Sequence, residues 1–393
     1  MKRFGLILER HWHYGRRVCE GIAAYAREQG DILLEFLDWG MLSPISSQRS
    51  NVRFDGYIAR IWNKKGAIAL AATKRPVVDV YGQIVDPKFP FSRVDQNARL
   101  IGQMAARYFI EHRFLNFAFC GYSHQRYSIQ RRLSFVHALE LNHYDVSIFE
   151  DATVSPDMFG LQVLKQGLYD SGITQKSLRK WLKRISKPIG IFCAHDLVAL
   201  DLIKACKAEH INVPQDVSVL GVDDDPLLCD FSCPTISSID PNPFGIGYEA
   251  AKCLSAIIDE SVQITPVDKR IIPLSITERM STQSYVFNAP WLSDALVFIR
   301  RNVARNIRAE DVYRHLGLSH TTVDREFKKE LGRTVSQEIS NIRITEAQTL
   351  LSRTSLSLST VCSRSGFSSN AYFTSAFKKS TGLTPLEWRK SHV

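Results

Sequence analysis

The sequence predicts an α/β fold built on parallel sheets over residues 1–280, followed by an all-α domain of two helix-turn-helix units over residues 291–393. Two observations lead to this prediction. In the first part, short apolar runs alternate with stretches of helical periodicity, a pattern typical of parallel sheets covered by helices. In the last hundred residues a motif occurs twice, at an offset of 49 residues that becomes 50 after one insertion. Repetition at this distance indicates a repeated structural unit.

The strands and helices of the first part are expected in regular alternation. Runs of apolar, β-branched and aromatic residues indicate strands, and longer amphipathic stretches indicate helices. The expected strands are Phe4–Leu8, Leu33–Leu37, Gly56–Ile61, Val77–Tyr81, Asn116–Cys120, Gly190–Cys193 and Val217–Val222. The expected helices are Arg17–Gln29, Leu100–His112, Arg132–Asn142, Val198–His210 and Gly245–Asp259. Ligands of such folds bind beyond the carboxyl ends of the strands, on the loops that lead into helices.

Unusual polar and aromatic residues lie in those loops. Aromatic rings can stack on the apolar faces of a sugar, and charged groups or amides can bond its hydroxyls, so the loops suit a polyhydroxylated ligand. The candidate ligand residues placed by this argument are Trp12, His13, Tyr14, Arg60, Asp95, Arg131, His195, Asp196 and Asp223. Taken singly, each residue fits a helix cap or a surface charge better than a ligand contact. Their shared position on one edge of the predicted sheet favours a common site.

Each copy of the carboxyl-terminal repeat is predicted to be a short helix, a glycine turn and a second helix. Glycine reaches the left-handed backbone that a tight turn needs, and serine caps the helix that follows. In the first copy, we expect a helix over Glu310–Leu316, a turn at Gly317, and a second helix capped by Ser319 that ends at about Leu331. In the second copy, we expect a helix over Leu358–Ser365, a turn at Gly366, and a second helix capped by Ser368 or Ser369 that ends at about Thr381. Apolar residues fall on one face of each pair of helices: Val312, Leu316, Val323, Phe327, Val361, Phe373 and Phe377. This is the plan of a helix-turn-helix.

Charge and spacing both indicate DNA as the partner of the repeat. Residues 291–393 contain sixteen basic and nine acidic residues, so they carry +7 of the chain's net charge of +10. Such a segment favours a polyanion, because neutralised phosphates release condensed counterions. The segment Val335–Arg353, between the copies, lacks Gly and Pro and has helical periodicity. Its nineteen residues span roughly 28 Å, close to the repeat of about 34 Å between successive major grooves.

The two copies carry a family resemblance. The segments GLSHTTVDREFKKELGRT and GFSSNAYFTSAFKKSTGLTPLEWRK resemble the two halves of the AraC-type DNA-binding domain, over about residues 290–393. The resemblance implies that exposed positions of the two second helices contact bases: His320, Thr321, Asp324, Arg325, Asn370, Ala371, Tyr372 and Ser375. The lysine pairs are expected to contact phosphates or only solvent: Lys328, Lys329, Lys378 and Lys379.

Two alternatives stay open for Asp324. A carboxylate can accept a hydrogen bond only from a base amino group, such as that of cytosine. It can equally form a salt bridge that orients Arg325 or Lys328. Arg325 suits guanine and Asn370 suits adenine, because each side chain can form two hydrogen bonds to that base.

The first part resembles the ligand-binding core of LacI-type repressors and periplasmic sugar-binding proteins. The resemblance lies in FDGYIAR, GIFCAHDLVALDLIKACKAEHINVPQDVSVLGVDDDP and CPTISSIDPNPFGIGYEAAKCL. It implies two lobes, about 1–113 with 242–268 and 114–240 with 269–280, and crossings near Phe114, Asp240 and Lys269. A sugar is expected in the cleft between the lobes. The motifs carry over as ligand residues Arg131, His195 or Asp196, Asp223 and one residue of the crossover, Asp240 or Asn242.

A LacI-type core followed by an AraC-type domain resembles the regulators of xylose operons. That resemblance implies a transcriptional activator of pentose genes, D-xylose as the effector, operator DNA and RNA polymerase as partners, and a homodimer. The short linker 281–290 would connect the sugar-binding core to the DNA-binding domain. The open alternatives are a sugar-processing enzyme and a stand-alone sugar-binding protein.

Other functional classes have little support in the sequence. No nucleophile elbow, P-loop or complete dinucleotide fingerprint occurs, so we expect no catalytic residues and no cofactor. The eight cysteines include no C-x-x-C pair, which favours reduced thiols over zinc or disulfides. The opening sequence MKRFGLILERHW fits neither a signal peptide nor a membrane span. We therefore expect a cytoplasmic protein with no metal site and no membrane partner.

Overall fold

The computed structural model describes residues 1–38, 53–152, 171–259, 266–283, 289–353 and 356–392. The chain divides into two compact units, Met1–Gln283 and Ser284–Val393. Across the described residues, no helix combines the length and the hydropathy needed to span a membrane.

The first unit contains two six-stranded sheets. The strands in chain order are β1 (Lys2–Ile7), β2 (Ile32–Phe36), β3 (Gly56–Ala59), β4 (Val77–Asp79), β5 (Ser92–Gln96), β6 (Phe117–Tyr122), β7 (Val146–Asp151), β8 (Ile189–Cys193), β9 (Val217–Val222), β10 (Ser237–Ile239), β11 (Asp268–Ile271) and β12 (Ile276–Thr277). The first sheet has the order β11-β5-β4-β3-β1-β2 and is parallel throughout. The second has the order β12-β10-β9-β8-β6-β7, and only β12 runs antiparallel to its neighbour. Each sheet forms the centre of one lobe.

Helices cover the sheets, as the alternation of the sequence predicts. They are α1 (His13–Gln29), α2 (Lys64–Ala72), α3 (Ala98–Glu111), α4 (Arg126–Glu140), α5 (Gln175–Leu182), α6 (Asp196–Ala208), α7 (Pro226–Cys229) and α8 (Pro243–Asp259). Helices α1 and α8 pack closely on each other, because a Cβ on Gly21 would lie 2.0 Å from the carbonyl oxygen of Phe244. The two-lobed α/β fold with parallel sheets is confirmed.

The lobe boundaries differ from the predicted ones. Strand β5 belongs to the first sheet, but helix α3 packs on α4 of the second lobe: a Cβ on Gly102 would lie 2.5 Å from the carbonyl oxygen of Arg131. The first crossing therefore lies at Asn97 and not near Phe114. Because β11 pairs with β5, the third crossing follows Ile271 and not Lys269. The second crossing lies between β10 and α8.

In the second unit the described residues form helices and no strand. Its helices are α9 (Pro290–Asn302), α10 (Ala309–Leu316), α11 (His320–Leu331), α12 (Val335–Arg353), α13 (Leu358–Arg364), α14 (Asn370–Thr381) and α15 (Pro385–His392). Ser319 caps α11 through the backbone NH of Thr322, at 3.3 Å. Ser369, and not Ser368, caps α14 through the NH of Tyr372, also at 3.3 Å. The two predicted helix-turn-helix units are confirmed.

The second unit has two apolar cores, one for each repeat. The first contains Val312, Val323 and Phe327, and the second contains Val361, Phe373 and Phe377. The faces predicted from periodicity are therefore the buried ones. Residues 284–288 of the predicted linker 281–290 lie outside the described residues; Ser281 and Thr282 are buried in the first unit, and α9 begins at Pro290.

Candidate ligand site and nucleic-acid interface

A pocket lies between the two lobes of the first unit, at the carboxyl ends of strands from both sheets. The first lobe contributes Trp12, His13, Tyr14, Arg60, Tyr81 and Gln96. The second lobe contributes Tyr127, Arg131, His195, Leu197, Asp223, Asp225 and Leu228. Aromatic rings and charged groups therefore line one cavity, as expected for a ligand with both apolar faces and polar groups.

Arg131 joins the two lobes at the floor of this pocket. Its side chain is 1% exposed, and its guanidinium donates to the carbonyl oxygen of Ala194 and to Oε1 of Gln96. Gln96 ends strand β5 of the first lobe, whereas α4 carries Arg131 on the second. The guanidinium also lies 3.9 Å from Oδ1 of Asp223 and 5.1 Å from the ring centroid of Tyr127. A ligand in the pocket thus meets a fixed donor that both lobes orient.

Arg60 provides a second buried cation, on the first lobe. Its guanidinium carbon lies 4.2 Å from the ring centroid of Trp62 and 4.4 Å from that of Tyr81. Glu9 pairs with it at 3.5 Å and also accepts from Nε1 of Trp62 at 2.5 Å. Burial alone would lower the pKa of Arg60, but the carboxylate of Glu9 and the neighbouring tyrosines raise it above its ordinary value. The side chain is therefore a permanent positive charge.

His195 is held neutral at the second-lobe wall. Its Nδ1 accepts from the backbone NH of Leu197 at 3.2 Å, and its Nε2 lies 3.1 Å from Oη of Tyr122. Tyr122 donates its own proton to the carbonyl oxygen of Ser171, at 2.8 Å. Nε2 must then carry the imidazole proton and donate to Oη. Burial, with the charges of Arg131 and Arg60, lowers the pKa of His195 to about 3, so the ring does not titrate near neutral pH.

Asp223 supplies a carboxylate acceptor to the pocket. Burial raises its pKa to about 6, although Arg131 and Arg60 act in the opposite direction. The residue lies directly after β9 with a φ of 109°, a left-handed backbone that Asp and Asn tolerate better than most residues. At neutral pH the side chain is mainly ionised and can accept hydrogen bonds from hydroxyl groups.

Several buried polar atoms of residues that line the pocket lack a hydrogen-bond partner among the described residues. They are Oη of Tyr14, Nε of Arg60 and Nε of Arg131, and all are buried. Buried polar groups in folded proteins are nearly always hydrogen-bonded, so unpaired ones need an explanation. A polar ligand in the pocket would supply it.

Three residues predicted as ligand contacts do not line the pocket. Asp95 pairs with Arg270 at 3.0 Å, and its neighbour Gln96 faces the pocket instead because side chains alternate along a strand. Asp196 accepts from Oγ of Ser238 at 2.6 Å and from the NH of Asp225 at 3.0 Å.

Asn242, the third of these residues, accepts from the NH of Gly245 at 3.0 Å and so caps helix α8. Each of the three side chains stabilises the first unit through bonds within the protein. The other predicted residues do line the pocket: Trp12, His13, Tyr14, Arg60, Arg131, His195 and Asp223.

Six lining residues were not predicted: Tyr81, Gln96, Tyr127, Leu197, Asp225 and Leu228. Tyr127 lies one helical turn before Arg131, on the same face of α4. The helix begins at Arg126 and not at Arg132, so Arg131 lies within its second turn. Gln96 ends strand β5, and Asp225 lies three residues after the end of β9. Both therefore lie where ligands of parallel sheets bind, at the carboxyl ends of strands.

The predicted DNA-contacting residues lie mostly on the exposed faces of α11 and α14. On α11, in the first helix-turn-helix unit, the exposed residues are His320, Thr321, Arg325, Lys328 and Lys329. On α14, in the second helix-turn-helix unit, they are Asn370, Ala371, Tyr372, Ser375, Lys378 and Lys379. Each second helix thus presents polar and basic side chains to solvent, as a recognition helix requires.

Asp324 accepts two hydrogen bonds from other elements of the second unit. Its Oδ2 accepts from Oη of Tyr313 at 2.9 Å, and its Oδ1 accepts from the backbone NH of Val335 at 3.1 Å. Arg325 lies 3.6 Å from Glu326 instead. Asp324 therefore ties α11 to α10 and to the start of α12.

Two family profiles match the chain. The periplasmic binding protein-like domain covers residues 106–282, and a helix-turn-helix domain covers residues 312–391. Over nearly the whole chain, the sequence is similar to two curated proteins. It is 30% identical over 395 residues to the xylose operon regulatory protein of Haemophilus influenzae, with 98% of each chain covered. It is 26% identical over 396 residues to that of Escherichia coli K12, with 98% of this chain and 96% of the relative covered.

Solved structures agree with this division. A xylose-binding transcription activator, XylR, superposes with a TM-score of 0.69 at 25% identity, covering 99% of this chain and 98% of its own. A LacI family regulator from Enterococcus faecalis V583, with bound ribose, superposes with a TM-score of 0.52 at 18% identity. It covers 72% of this chain and 98% of its own, and at this identity it supports the fold of the first unit alone.

Proposed function

The chain belongs to the family of xylose operon regulatory proteins, and we propose on that premise that D-xylose or a closely related pentose is its effector. The protein is a sugar-responsive, DNA-binding transcriptional regulator. The sugar binds in the interlobe pocket and changes the affinity of the helix-turn-helix units for DNA. A ligand can shift this equilibrium only by binding one conformation more tightly than the other.

The observation that carries the proposal is the balance of charge in the pocket. Arg60 and Arg131 contribute two positive charges, and Asp223 and Asp225 contribute two carboxylates. A sugar phosphate or a sugar acid would leave these carboxylates facing another anion. A neutral polyol can instead donate to Asp223 and accept from Arg131, which is the pairing that vicinal hydroxyl groups need.

Aromatic residues complete the fit to a small sugar. Trp12, Tyr14 and Tyr127 line the pocket beside the charged groups, so ring faces and hydrogen-bonding atoms alternate around the ligand. The unpaired Oη of Tyr14 gains its hydrogen bond from a hydroxyl of the sugar. Leaving such a group unsatisfied is costly, which favours the polyhydroxylated ligand over an apolar one.

The second unit supplies the output. Helices α11 and α14 enter successive major grooves of operator DNA, and the exposed lysines of both contact phosphates. By the name of its structural relative, the protein activates transcription, and RNA polymerase is then a partner at the promoter. We propose further that the protein acts as a homodimer in the cytoplasm.

Calorimetry of the full chain against D-xylose, L-arabinose, D-ribose and D-glucose tests the sugar assignment. Arg131 and Arg132 are neighbours with different partners: Arg131 lines the pocket, whereas Arg132 pairs with Glu150 at 2.9 Å. We expect Arg131→Gln to lower the affinity for D-xylose at least tenfold and Arg132→Gln to change it less than twofold. Equal affinities of the two variants, or no binding of any pentose, would refute the proposal.

A further inference from the structure

The two helix-turn-helix units have separate apolar cores, and both cores include part of helix α12. The first core includes Val335 and Ile339, and the second includes Ile344 and Ala347. Within the described part of the chain, no residue belongs to both clusters. Apolar packing therefore stabilises each unit by itself. Apart from the shared helix, other contacts must fix the orientation of one unit against the other.

Arg343 forms such a contact, at the boundary between the two cores. Its Nη2 donates to Oδ1 of Asn306 at 3.1 Å and to the carbonyl oxygen of Ile307 at 2.8 Å, both in the loop between α9 and α10. Its guanidinium carbon lies 5.9 Å from the ring centroid of Phe367, in the turn of the other unit. The ring of Phe367 contacts that of Tyr372, at the start of α14. Arg343 thus connects the loop between α9 and α10, in the first helix-turn-helix unit, with the turn that positions α14, the recognition helix of the second.

The turn glycine of the second helix-turn-helix unit, Gly366, makes a further contact with the first helix-turn-helix unit. A Cβ on Gly366 would lie 1.8 Å from the carbonyl oxygen of Val303 and 3.2 Å from Nε of Arg343. The equivalent glycine of the first unit, Gly317, has nothing within 4 Å of that position among the described residues. Both glycines have a positive φ, 78° and 63°. The two turn glycines therefore differ: among the described residues, Gly366 lies against the other helix-turn-helix unit and Gly317 does not.

We propose that Arg343 and the contact of Gly366 with Val303 form a joint that fixes the separation of the two recognition helices, and that this joint sets the operator spacing the protein accepts. The inference rests on the proposed DNA-binding function. Arg343 is a positioning residue, because it acts through Phe367 and the turn and needs no contact with DNA. Inserting one base pair between the two groove sites displaces one from the other by about 3.4 Å and about 35°, which a fixed pair of helices cannot follow.

The test uses the full chain and a duplex selected from random sequence by the full chain itself. Affinity is measured for the selected duplex, for versions with either groove site scrambled, and for versions with one or two base pairs inserted between the sites. For the unaltered protein we expect a loss of at least thirtyfold on inserting one base pair. For Arg343→Ala and Gly366→Ala we expect about tenfold weaker binding to the selected duplex and less than a fivefold further loss on insertion. Affinity for the single-site duplexes should stay within twofold.

Two matched variants separate the joint from folding. Gly317→Ala introduces the same backbone strain without the contact, so it should keep the steep insertion penalty. Arg343→Lys retains one donor for the carbonyl oxygen of Ile307 and should restore part of that penalty. The proposal is overturned if Arg343→Ala keeps the full penalty, or if it loses single-site binding as strongly as two-site binding. If the unaltered protein selects no sequence, the proposed DNA-binding function fails instead.

Discussion

Replacing Asp223 with Asn should stabilise the first unit and weaken sugar binding at the same time. Burial raises the pKa of Asp223 from 3.8 to about 6, so the ionised carboxylate is less favourable in the folded chain than in the unfolded one. Between these two pKa values the folded chain holds a proton that the unfolded chain has released. Stability contributed by this group is therefore greatest below about pH 4, falls as the pH rises to about 6, and stays constant above that.

The magnitude follows from the shift in pKa. A difference of about two units corresponds to roughly 3 kcal/mol at pH 8, an upper value because 29% of the side chain is exposed. The amide of Asn carries no charge and tolerates the positive φ at this position. Asp223→Asn should thus be more stable than the unaltered protein at pH 8 by up to about 3 kcal/mol. Its advantage at pH 5 should be smaller by about 1.4 kcal/mol.

Urea unfolding of the first unit at pH 5 and pH 8, followed by tryptophan fluorescence, measures both differences. Asp79 and Asp95 also have raised pKa values, about 6 and about 7, but they contribute equally to both proteins and cancel in the comparison. Calorimetry should show at least a tenfold loss of affinity for D-xylose, since a hydrogen bond to a charged group is among the stronger ones. A variant less stable at pH 8, or an advantage independent of pH, would show that the buried carboxylate of Asp223 does not destabilise the folded chain.

The remaining predictions concern four single side chains. Asp196→Ala removes the acceptor of Ser238 and of the Asp225 NH, so it should cost the first unit about 3 kcal/mol in urea unfolding; unchanged stability would reopen a ligand role. Tyr14→Phe removes a buried, unpaired hydroxyl, so stability without sugar should rise by about 1–3 kcal/mol while D-xylose affinity in calorimetry falls about tenfold; equal affinity would exclude the contact. Arg325→Ala should relax the base preference at one operator position by about 1–3 kcal/mol. Lys378→Gln should weaken binding to all DNA sequences alike and reduce the slope of log affinity against log salt concentration by about 1; anisotropy titrations at several salt concentrations separate the two effects.

The alternation of the sequence predicts seven strands with apolar runs but misses β7, which reads VSIFED, and the short or polar strands. Strand β5 reads SRVDQ and β11 reads DKRI, with one apolar residue each. Neither shows the apolar run of a buried parallel strand. The chain leaves the first lobe directly after β5, so the crossing near Phe114 that the resemblance implies lies after helix α3 instead of before it.

Positions fixed by local chemistry were predicted more closely. Ser319, Gly317 and Gly366 mark the turns of the repeat within one or two residues, since caps and left-handed turns depend on a few neighbouring residues. The partners of Asp324 depend on where α10 and α12 lie in three dimensions. No spacing in the sequence reports such a contact, and the same limit applies to Asp196 and Asn242 in the first unit.

The response of DNA binding to sugar shows whether the pocket of the first unit controls the second unit. The affinity of the full chain for its selected duplex is measured by fluorescence anisotropy, without sugar and with saturating D-xylose. We expect D-xylose to change the affinity at least fivefold, within the usual range of coupling between two sites. Arg131→Gln should still bind the duplex and should lose the response at the same sugar concentration. An affinity that no pentose changes, in a chain that binds both pentose and DNA, would contradict the account.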